Sequence, residues 1–325
     1  MNTENHSRRD FLKTSSAAVF ALAIPDSLLG LFSKHQQATK FGMITDLHVD
    51  IIHDPKIRFS SFLEEMKKEN VDALVQLGDF AIPKSENQPY IQAFNQAHAN
   101  AFHVLGNHDM DGGFSREEVV QKYGMKSRYY SAEVNGIQLL VLDGNDIGSP
   151  NFKSGYPSYI GPEQQAWLRA ELTKAKKPVL VISHQPIAGI YTIDNASEIQ
   201  ALLSEFSDKI LLAVNGHAHV DQHVEVGGVN YLHLNSASYY WVGEKLAHLS
   251  LSEDAHSQYP NLKFICPYSE PLFAVLTIDP VEKRIILKGK KTQWIGPSPL
   301  ELGYSIVSPE MQKLHVQPQI SDRDL

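Results

Sequence analysis

Five short clusters of Asp, Asn and His run through the first two thirds of the chain. They are Asp46-Leu47-His48, Gly78-Asp79, Gly106-Asn107-His108-Asp109, His184 and Gly216-His217-Ala218-His219. Carboxylate, carboxamide and imidazole groups coordinate metal ions, and carboxylate and imidazole also carry protons. Imidazole mixed with carboxylate suits Fe, Mn or Zn, whereas an all-oxygen set would suggest Ca or Mg. A carboxylate shared by two divalent ions holds them roughly 3.5–4 Å apart, the spacing at which paired metals cleave phosphate esters. Charge points the same way. Two dications together with the carboxylates of Asp46 and Asp79 and a bridging hydroxide keep a net positive charge, which attracts a phosphate anion.

These clusters must be gathered by the elements before them. Lys40–Thr45, Val71–Leu77, Phe102–Leu105, Val179–Ile182 and Ile210–Val214 are short apolar runs, each read as a buried strand that ends just before a cluster. Gly78, Gly106 and Gly216 stand at the turns, where a strand end beside a metal leaves no room for a Cβ. Helical spacing is expected over 59–68, 91–100, 162–174 and 197–206, and Ser115 with Glu118 forms a capping box. Hairpins are expected at Asn135-Gly136, Gly227-Gly228 and around Asp279-Pro280. Residues 144–161 carry Gly, Ser, Asn, Pro and Tyr without period, which reads as a long loop and a candidate lid. The simplest organisation is one α/β domain over 40–297 with an irregular tail over 298–325.

With 42% apolar and 20% charged residues the chain is globular in composition. A formal charge of −8 argues against a protein that coats nucleic acid, so no nucleic-acid binding is expected. The single cysteine, Cys266, rules out an intrachain disulfide. At the other end, Ser7-Arg8-Arg9-Asp10-Phe11-Leu12-Lys13 followed by an apolar stretch resembles a twin-arginine (Tat) export signal. The stretch is too short and interrupted for a membrane span, which needs roughly 20 apolar residues, so no span is expected in the mature protein. Ala21-Leu22-Ala23 is a small-x-small cleavage site, although the cut could fall as late as about Lys40. Residues 1–35 are assigned to this signal, with the Tat translocase as partner and a periplasmic or secreted destination. The other reading of the same residues is an N-terminal amphipathic helix packed on the domain.

The five clusters, in this order, resemble the calcineurin-like metallophosphoesterase superfamily, and the likeness spans residues 46–219. The resemblance implies a four-layer α-β-β-α sandwich of two mixed sheets. It implies two metal ions (Mn, Fe or Zn), one held by Asp46, His48, Asp79 and His219, the other by Asp79, Asn107, His184 and His217. It implies that His108 serves the leaving oxygen and that Asp109 orients the His108 imidazole. The arginines typical of protein serine/threonine phosphatases are missing around Asp79 and Asn107, and Ile82 stands where purple acid phosphatases carry a metal-binding tyrosine. What remains is the small single-domain branch. The implied function is an exported dinuclear-metal hydrolase of a phosphodiester or pyrophosphate on a small phosphorylated substrate. A phosphomonoesterase is the alternative, and a non-catalytic scaffold is a remote one. Loops at 50–58, 80–90, 110–114 and 144–161, with Tyr239-Tyr240-Trp241, are expected to set specificity. Tyr156, Tyr159 and Tyr240 could stack on a nucleobase or simply pack the lid, and His53 could touch substrate.

Overall fold

The computed structural model describes residues 24–33 and 36–325. Its strands are β1 (Thr39–Ile44), β2 (Ala73–Gln76), β3 (Ala101–His103), β4 (Tyr130–Val134), β5 (Ile137–Val141), β6 (Val179–Ile182), β7 (Ile210–Asn215), β8 (Gln222–Val226), β9 (Val229–His233), β10 (Tyr239–Trp241), β11 (Ile265–Pro267), β12 (Ala274–Asp279), β13 (Arg284–Lys288), β14 (Lys290–Lys291), β15 (Gln319–Ile320) and β16 (Arg323–Asp324). The helices are α1 (Asp26–Leu29), α2 (Pro55–Glu69), α3 (Gln88–Ala97), α4 (Arg116–Tyr123), α5 (Pro162–Lys174), α6 (Ala196–Ser204), α7 (Glu253–Gln258) and α8 (Pro309–His315).

Two six-stranded mixed sheets dominate, in the orders β16-β13-β12-β1-β2-β3 and β4-β5-β6-β7-β9-β8. Strands β1, β2 and β3 run parallel, as do β5, β6, β7 and β9, while the hairpin strands pair antiparallel at the flanks. Alternation along each strand sends side chains to two different layers. Phe41 and Met43 of β1 join Leu139, Leu180 and Leu212 of the second sheet in one apolar cluster between the sheets. Ile44 and Leu74 point the other way, against Phe59, Phe62 and Met66 of α2 and Phe94 of α3. On the far face of the second sheet, Leu140, Val181 and Tyr231 pack against Leu168 and Leu172 of α5 and Leu202 of α6. The expected four-layer α-β-β-α sandwich is therefore the observed one.

Local signals explain the element ends. Pro55 opens α2 at its first turn, four residues ahead of the expected start, because its fixed φ suits that position. The capping box at Ser115 and Glu118 is present on α4. Asn135 and Gly136 take φ of +47° and +79°, the two left-handed positions of the hairpin turn between β4 and β5.

Two terminal expectations are corrected. Residues 298–325 are not irregular: they form α8 and two short strands, with β16 extending the first sheet against β13. Asp221 is the buried acceptor that draws them in, paired with Ser321 and with the Arg323 guanidinium. At the other end, residues 24–33 belong to the folded body. Ile24 donates its N–H to the Lys283 carbonyl at 2.8 Å, and Ile24 and Leu28 are buried in the cluster between the sheets. Arg8, Arg9 and the Ala21–Ala23 site lie outside the described residues. Among the described residues no helix is long and apolar enough to cross a membrane.

His103 is both packed and hydrogen-bonded. Its ring lies 4.8 Å from Phe94 and 4.8 Å from Tyr123, with Nδ1 accepting from Gln76 Nε2 and Nε2–H donating to Asn95 Oδ1. Burial pushes its pKa from 6.5 down to about 3. Between those values the unfolded chain binds a proton that the folded chain refuses, so stability falls as pH falls. His103→Gln is expected to make this acid limb shallower by about 1.4 kcal/mol per pH unit, checked by denaturant unfolding at several pH values.

Candidate metal centre

The parallel strands of both sheets end at one rim, where the predicted residues meet. Asp46 follows β1, Asp79 follows β2, Asn107 follows β3, His184 follows β6 and His217 follows β7. One group of possible ligand atoms comes from Asp46, His48 and His219, and a second from Asp79, His184 and His217. Within each, the atoms lie within 4.8 Å of one another. Asp46 Oδ1 is 3.1 Å from His219 Nε2 and 3.9 Å from His48 Nε2. Asp79 Oδ2 faces both groups, 3.2 Å from His184 Nε2 and 3.7 Å from His48 Nε2. His217 Nδ1 lies 3.2 Å from His184 Nε2.

The backbone is bent to achieve this. Asp46, His48, Asp79, His217 and His219 all adopt left-handed φ, between +49° and +65°. Side chains other than glycine avoid that region, and residues held there cluster at functional sites. Room is equally tight: a Cβ on Gly106 would come within 2.1 Å of Asp79 N, and one on Gly216 within 1.9 Å of Thr45 Oγ1.

Ring orientation is set by the next layer of groups. His184 donates Nδ1–H to the Leu77 carbonyl at 2.8 Å, and His219 donates Nδ1–H to the Tyr239 carbonyl at 2.7 Å. Both therefore present Nε2 to the centre, the arrangement that outer partners impose on metal-binding histidines. His48 stacks on the Tyr239 ring at 5.1 Å. Asn107 is buried, and its Oδ1 has no hydrogen-bond partner. An orphaned buried acceptor is costly, and a cation would satisfy it.

Charge tells the same story. Burial alone would raise the Asp46 carboxyl, but His219 outweighs it and holds the group down at about 2. Burial would likewise raise Asp79, and His184 and His108 bring it well below the usual carboxylate range. Burial pushes His48 and His217 down to about 3, so both are neutral donors. His184 goes the other way: burial opposes its charge, but Asp79 raises it to about 9. The centre thus draws in positive charge, which a divalent ion supplies better than a proton. Paired carboxylates, neutral imidazoles and an unsatisfied amide oxygen fit two such ions.

Residues 39–221 match the model of the calcineurin-like phosphoesterase family. The chain belongs to that family. It is a metal-dependent phosphoester hydrolase on that membership. Among solved structures, it is similar to a dimetal phosphatase from Danio rerio, at 17% identity over 80% of this chain and 99% of the other, with a TM-score of 0.55. It is also similar to GAP50, the anchor in the inner membrane complex of Plasmodium, at 17% identity over 80% of this chain and 89% of the other, with a TM-score of 0.52. At that identity the likeness carries the fold. No curated protein matches the chain in sequence.

The family pattern needs one correction here. Asp109 does not orient His108. Its carboxylate is fully buried and accepts the backbone N–H groups of Phe80 at 2.9 Å, Ala81 at 3.3 Å, Asp79 at 3.2 Å and Gly106 at 2.8 Å. The partner of His108 is Asp111, whose Oδ2 accepts from Nδ1–H at 2.8 Å. A helical turn begins at His108 and is kinked at Asp111 and Gly112, and the spacing of three brings the His108 and Asp111 side chains together. The three-residue spacing of His108 and Asp111 is visible in the sequence, next to the closer Asp109. Tyr156, from the 144–161 loop, donates to Asp111 Oδ1 at 2.8 Å and lies 3.2 Å from His108 Nδ1. Tyr159 and His53 do not line the space beside the centre, and His53 instead faces Asp54 at 3.7 Å.

The two aspartates should separate in mutagenesis. Asp109→Ala strands four backbone donors and is expected to cost more than about 3 kcal/mol of stability. Asp111→Asn sits on a partly exposed side chain and is expected to change stability by less than about 1 kcal/mol while lowering turnover. Denaturant midpoints and steady-state rates measured on the same two variants check this.

Proposed function

We propose that the chain is an exported phosphodiesterase with a dinuclear metal centre. One ion would be held by Asp46, His48, Asp79 and His219, the other by Asp79, Asn107, His184 and His217, with Asp79 shared. Bound there, the ions would neutralise phosphate charge and bring the pKa of a water toward neutrality.

The observation that carries the diester reading is a pair of cavities that meet at the centre. The larger, about 640 Å³, is lined by Asp50, Ile82, Lys84, Asp111, Tyr156 and Asn261. The smaller, about 260 Å³, is lined by Tyr191, Tyr240, Tyr304 and Ile306. Both share His48, Asp79, His108 and Trp241. Two cavities meeting at one phosphorus suit a phosphate with two ester arms. A monoester would present a further oxyanion. Lys84 is the sole lysine or arginine among the described residues lining either cavity, and it is already paired with Asp50 at 2.8 Å.

His108 lines both cavities, and its partners Asp111 and Tyr156 line the larger one, which places the leaving oxygen on that side. Burial opposes its charge, but Asp79 and the bond to Asp111 raise its pKa. Asp111 holds Nδ1–H, which leaves Nε2 to meet the substrate. Water oxygen bonds to phosphorus, the bond from phosphorus to the leaving oxygen breaks, and His108 passes a proton to that oxygen. The proton released by the water restores His108, so the products are a monoester and an alcohol. Turnover of a bis-nitrophenyl phosphate diester is expected to exceed that of the nitrophenyl monoester with Mn²⁺-loaded protein. Asp79→Asn is expected to abolish both while the protein stays folded by circular dichroism. A preference for the monoester would move the reading to phosphate scavenging.

Export by the Tat route is part of the same proposal, with the periplasm or the medium as destination. Arg8-Arg9 and the apolar run support it, and so does the position of Ala21-Leu22-Ala23, directly before the packed Ile24. Replacing Arg8 and Arg9 by lysine is expected to retain the protein in the cytoplasm, and N-terminal sequencing of the exported form is expected to begin at Ile24. An N-terminus downstream of Leu28 would overturn that cleavage site.

A further inference from the structure

Among the described residues, nine other than glycine hold left-handed φ. Five are the candidate ligands described above. Asn70 caps the end of α2, and Asn135 and Lys283 turn hairpins. Tyr191, at φ +53°, is the ninth and has no such role. A bulky aromatic side chain adopts this backbone only where the surroundings hold it there, and such outliers mark ligand clamps.

Tyr191 forms a wall of the smaller cavity beside the metal centre, with Tyr240, Trp241, Tyr304 and Ile306. Tyr191, Trp241 and Ile306 remain 39%, 43% and 72% exposed, so their apolar faces are free for a ligand, while Tyr240 and Tyr304 are buried at the back. The three tyrosine hydroxyls converge there. Tyr191 and Tyr304 lie 3.2 Å apart, and Tyr240 and Tyr304 3.3 Å. Three hydroxyls bring three protons and these two bonds use two, which leaves one donor and several lone pairs for a ligand. Apart from Asp79 and the histidines of the centre, no ionisable group among the described residues but the tyrosines lines this cavity. An engineered cavity of about 150 Å³ accepts benzene, so about 260 Å³ accommodates one substituted ring and little more.

We propose that this tyrosine-walled cavity is the subsite for the ester arm that stays on phosphorus, and that it selects a planar, uncharged ring with a polar edge. Flat faces meet Tyr191 and Trp241, and the hydroxyl cluster reads the edge. The leaving arm occupies the larger cavity, on the side of Asp111 and Tyr156, the partners of His108. The proposal rests on the diester reading above.

The test uses nitrophenyl phosphodiesters that differ only in the retained arm: thymidine 5′-yl, phenyl, methyl and choline. With Mn²⁺-loaded protein, kcat/KM for the thymidine and phenyl arms is expected to exceed that for the methyl arm by about tenfold or more, the size of a stacking contribution. The cationic choline arm is expected to fall no higher than methyl. Tyr191→Ala is expected to collapse the ring-to-methyl ratio, and Leu249→Ala, an exposed side chain lining neither cavity, is expected to keep it. Tyr304→Phe is expected to lower the thymidine arm relative to phenyl, which separates a nucleobase-like ring from a plain aryl group. A second readout needs no turnover: thymidine titrated onto metal-free protein is expected to change tryptophan fluorescence, with Trp241→Phe as the blank. Equal rates for ring and methyl arms would overturn the subsite and leave the diesterase reading standing. If no diester is turned over, the diesterase reading fails, and absence of the fluorescence change would then overturn the subsite as well.

Discussion

The buried carboxylate of Asp109 is the constraint on which the centre depends. Its two oxygens collect N–H groups from three consecutive residues, Asp79, Phe80 and Ala81, and from Gly106. Three consecutive N–H groups can converge on one anion only if the chain turns sharply around it. That turn sets the left-handed backbone of Asp79 and aims its side chain outward, between the two groups of ligand atoms. The same carboxylate ties the loop after β2 to the loop after β3, so Asn107 cannot shift independently of Asp79. Burial and the nearby Asp79 charge push Asp109 up to about 7, while the Gly106 N–H pulls it back. Water cannot substitute for it at full burial, which is why this carboxylate governs the geometry of the loops around it.

Strain at the ligand positions is matched by rigid surroundings. Asp46 N–H bonds to Gly78 O at 3.0 Å, His48 N–H to Asp79 O at 3.0 Å, and Gly216 N–H to His184 O at 3.1 Å. Each bond links loops that follow neighbouring strands, so the unfavourable φ values are imposed by the sheets rather than chosen locally. The result is a set of carboxylate and imidazole groups held close together. Such an arrangement opposes folding by itself and favours whatever positive charge it can recruit.

The 144–161 loop is tethered rather than free. Arg116 and Arg128 both reach the buried carboxylates of Asp143 and Asp146, a cluster of two positive and two negative charges. Asp146 also accepts the Gly161 N–H at 2.8 Å, so both ends of the loop are pinned to one group. From between these anchors Tyr156 reaches Asp111 and His108. Buried ion pairs add little net stability but fix one arrangement against its competitors. Here that arrangement couples the candidate lid to His108 and Asp111.

Much of the scaffold was legible in the sequence because it rests on local rules. The strand-then-cluster pattern, the Asn135-Gly136 hairpin, the Ser115 capping box and the glycines at Gly106 and Gly216 each follow from residues within a few positions of one another. The candidate ligands were legible too, since a strand end leaves few choices for where the next side chain points. Pairings across long sequence separations were not. That His108 pairs with Asp111 while Asp109 turns inward depends on the helical turn the chain takes there and on N–H donors nearly thirty residues upstream. That residues 24–33 and 298–325 join the folded body depends on partners at Lys283, Asp221 and β13, far along the chain. The tyrosine cavity is assembled from residues 191, 240 and 304, which no local period connects. By itself, then, the sequence determined which groups could bind metal and which strands deliver them, because those are properties of short segments. Only the tertiary structure decided which carboxylate serves which neighbour and which side chains shape the space beside the centre, because burial and hydrogen-bond partnership exist only once distant segments are packed together.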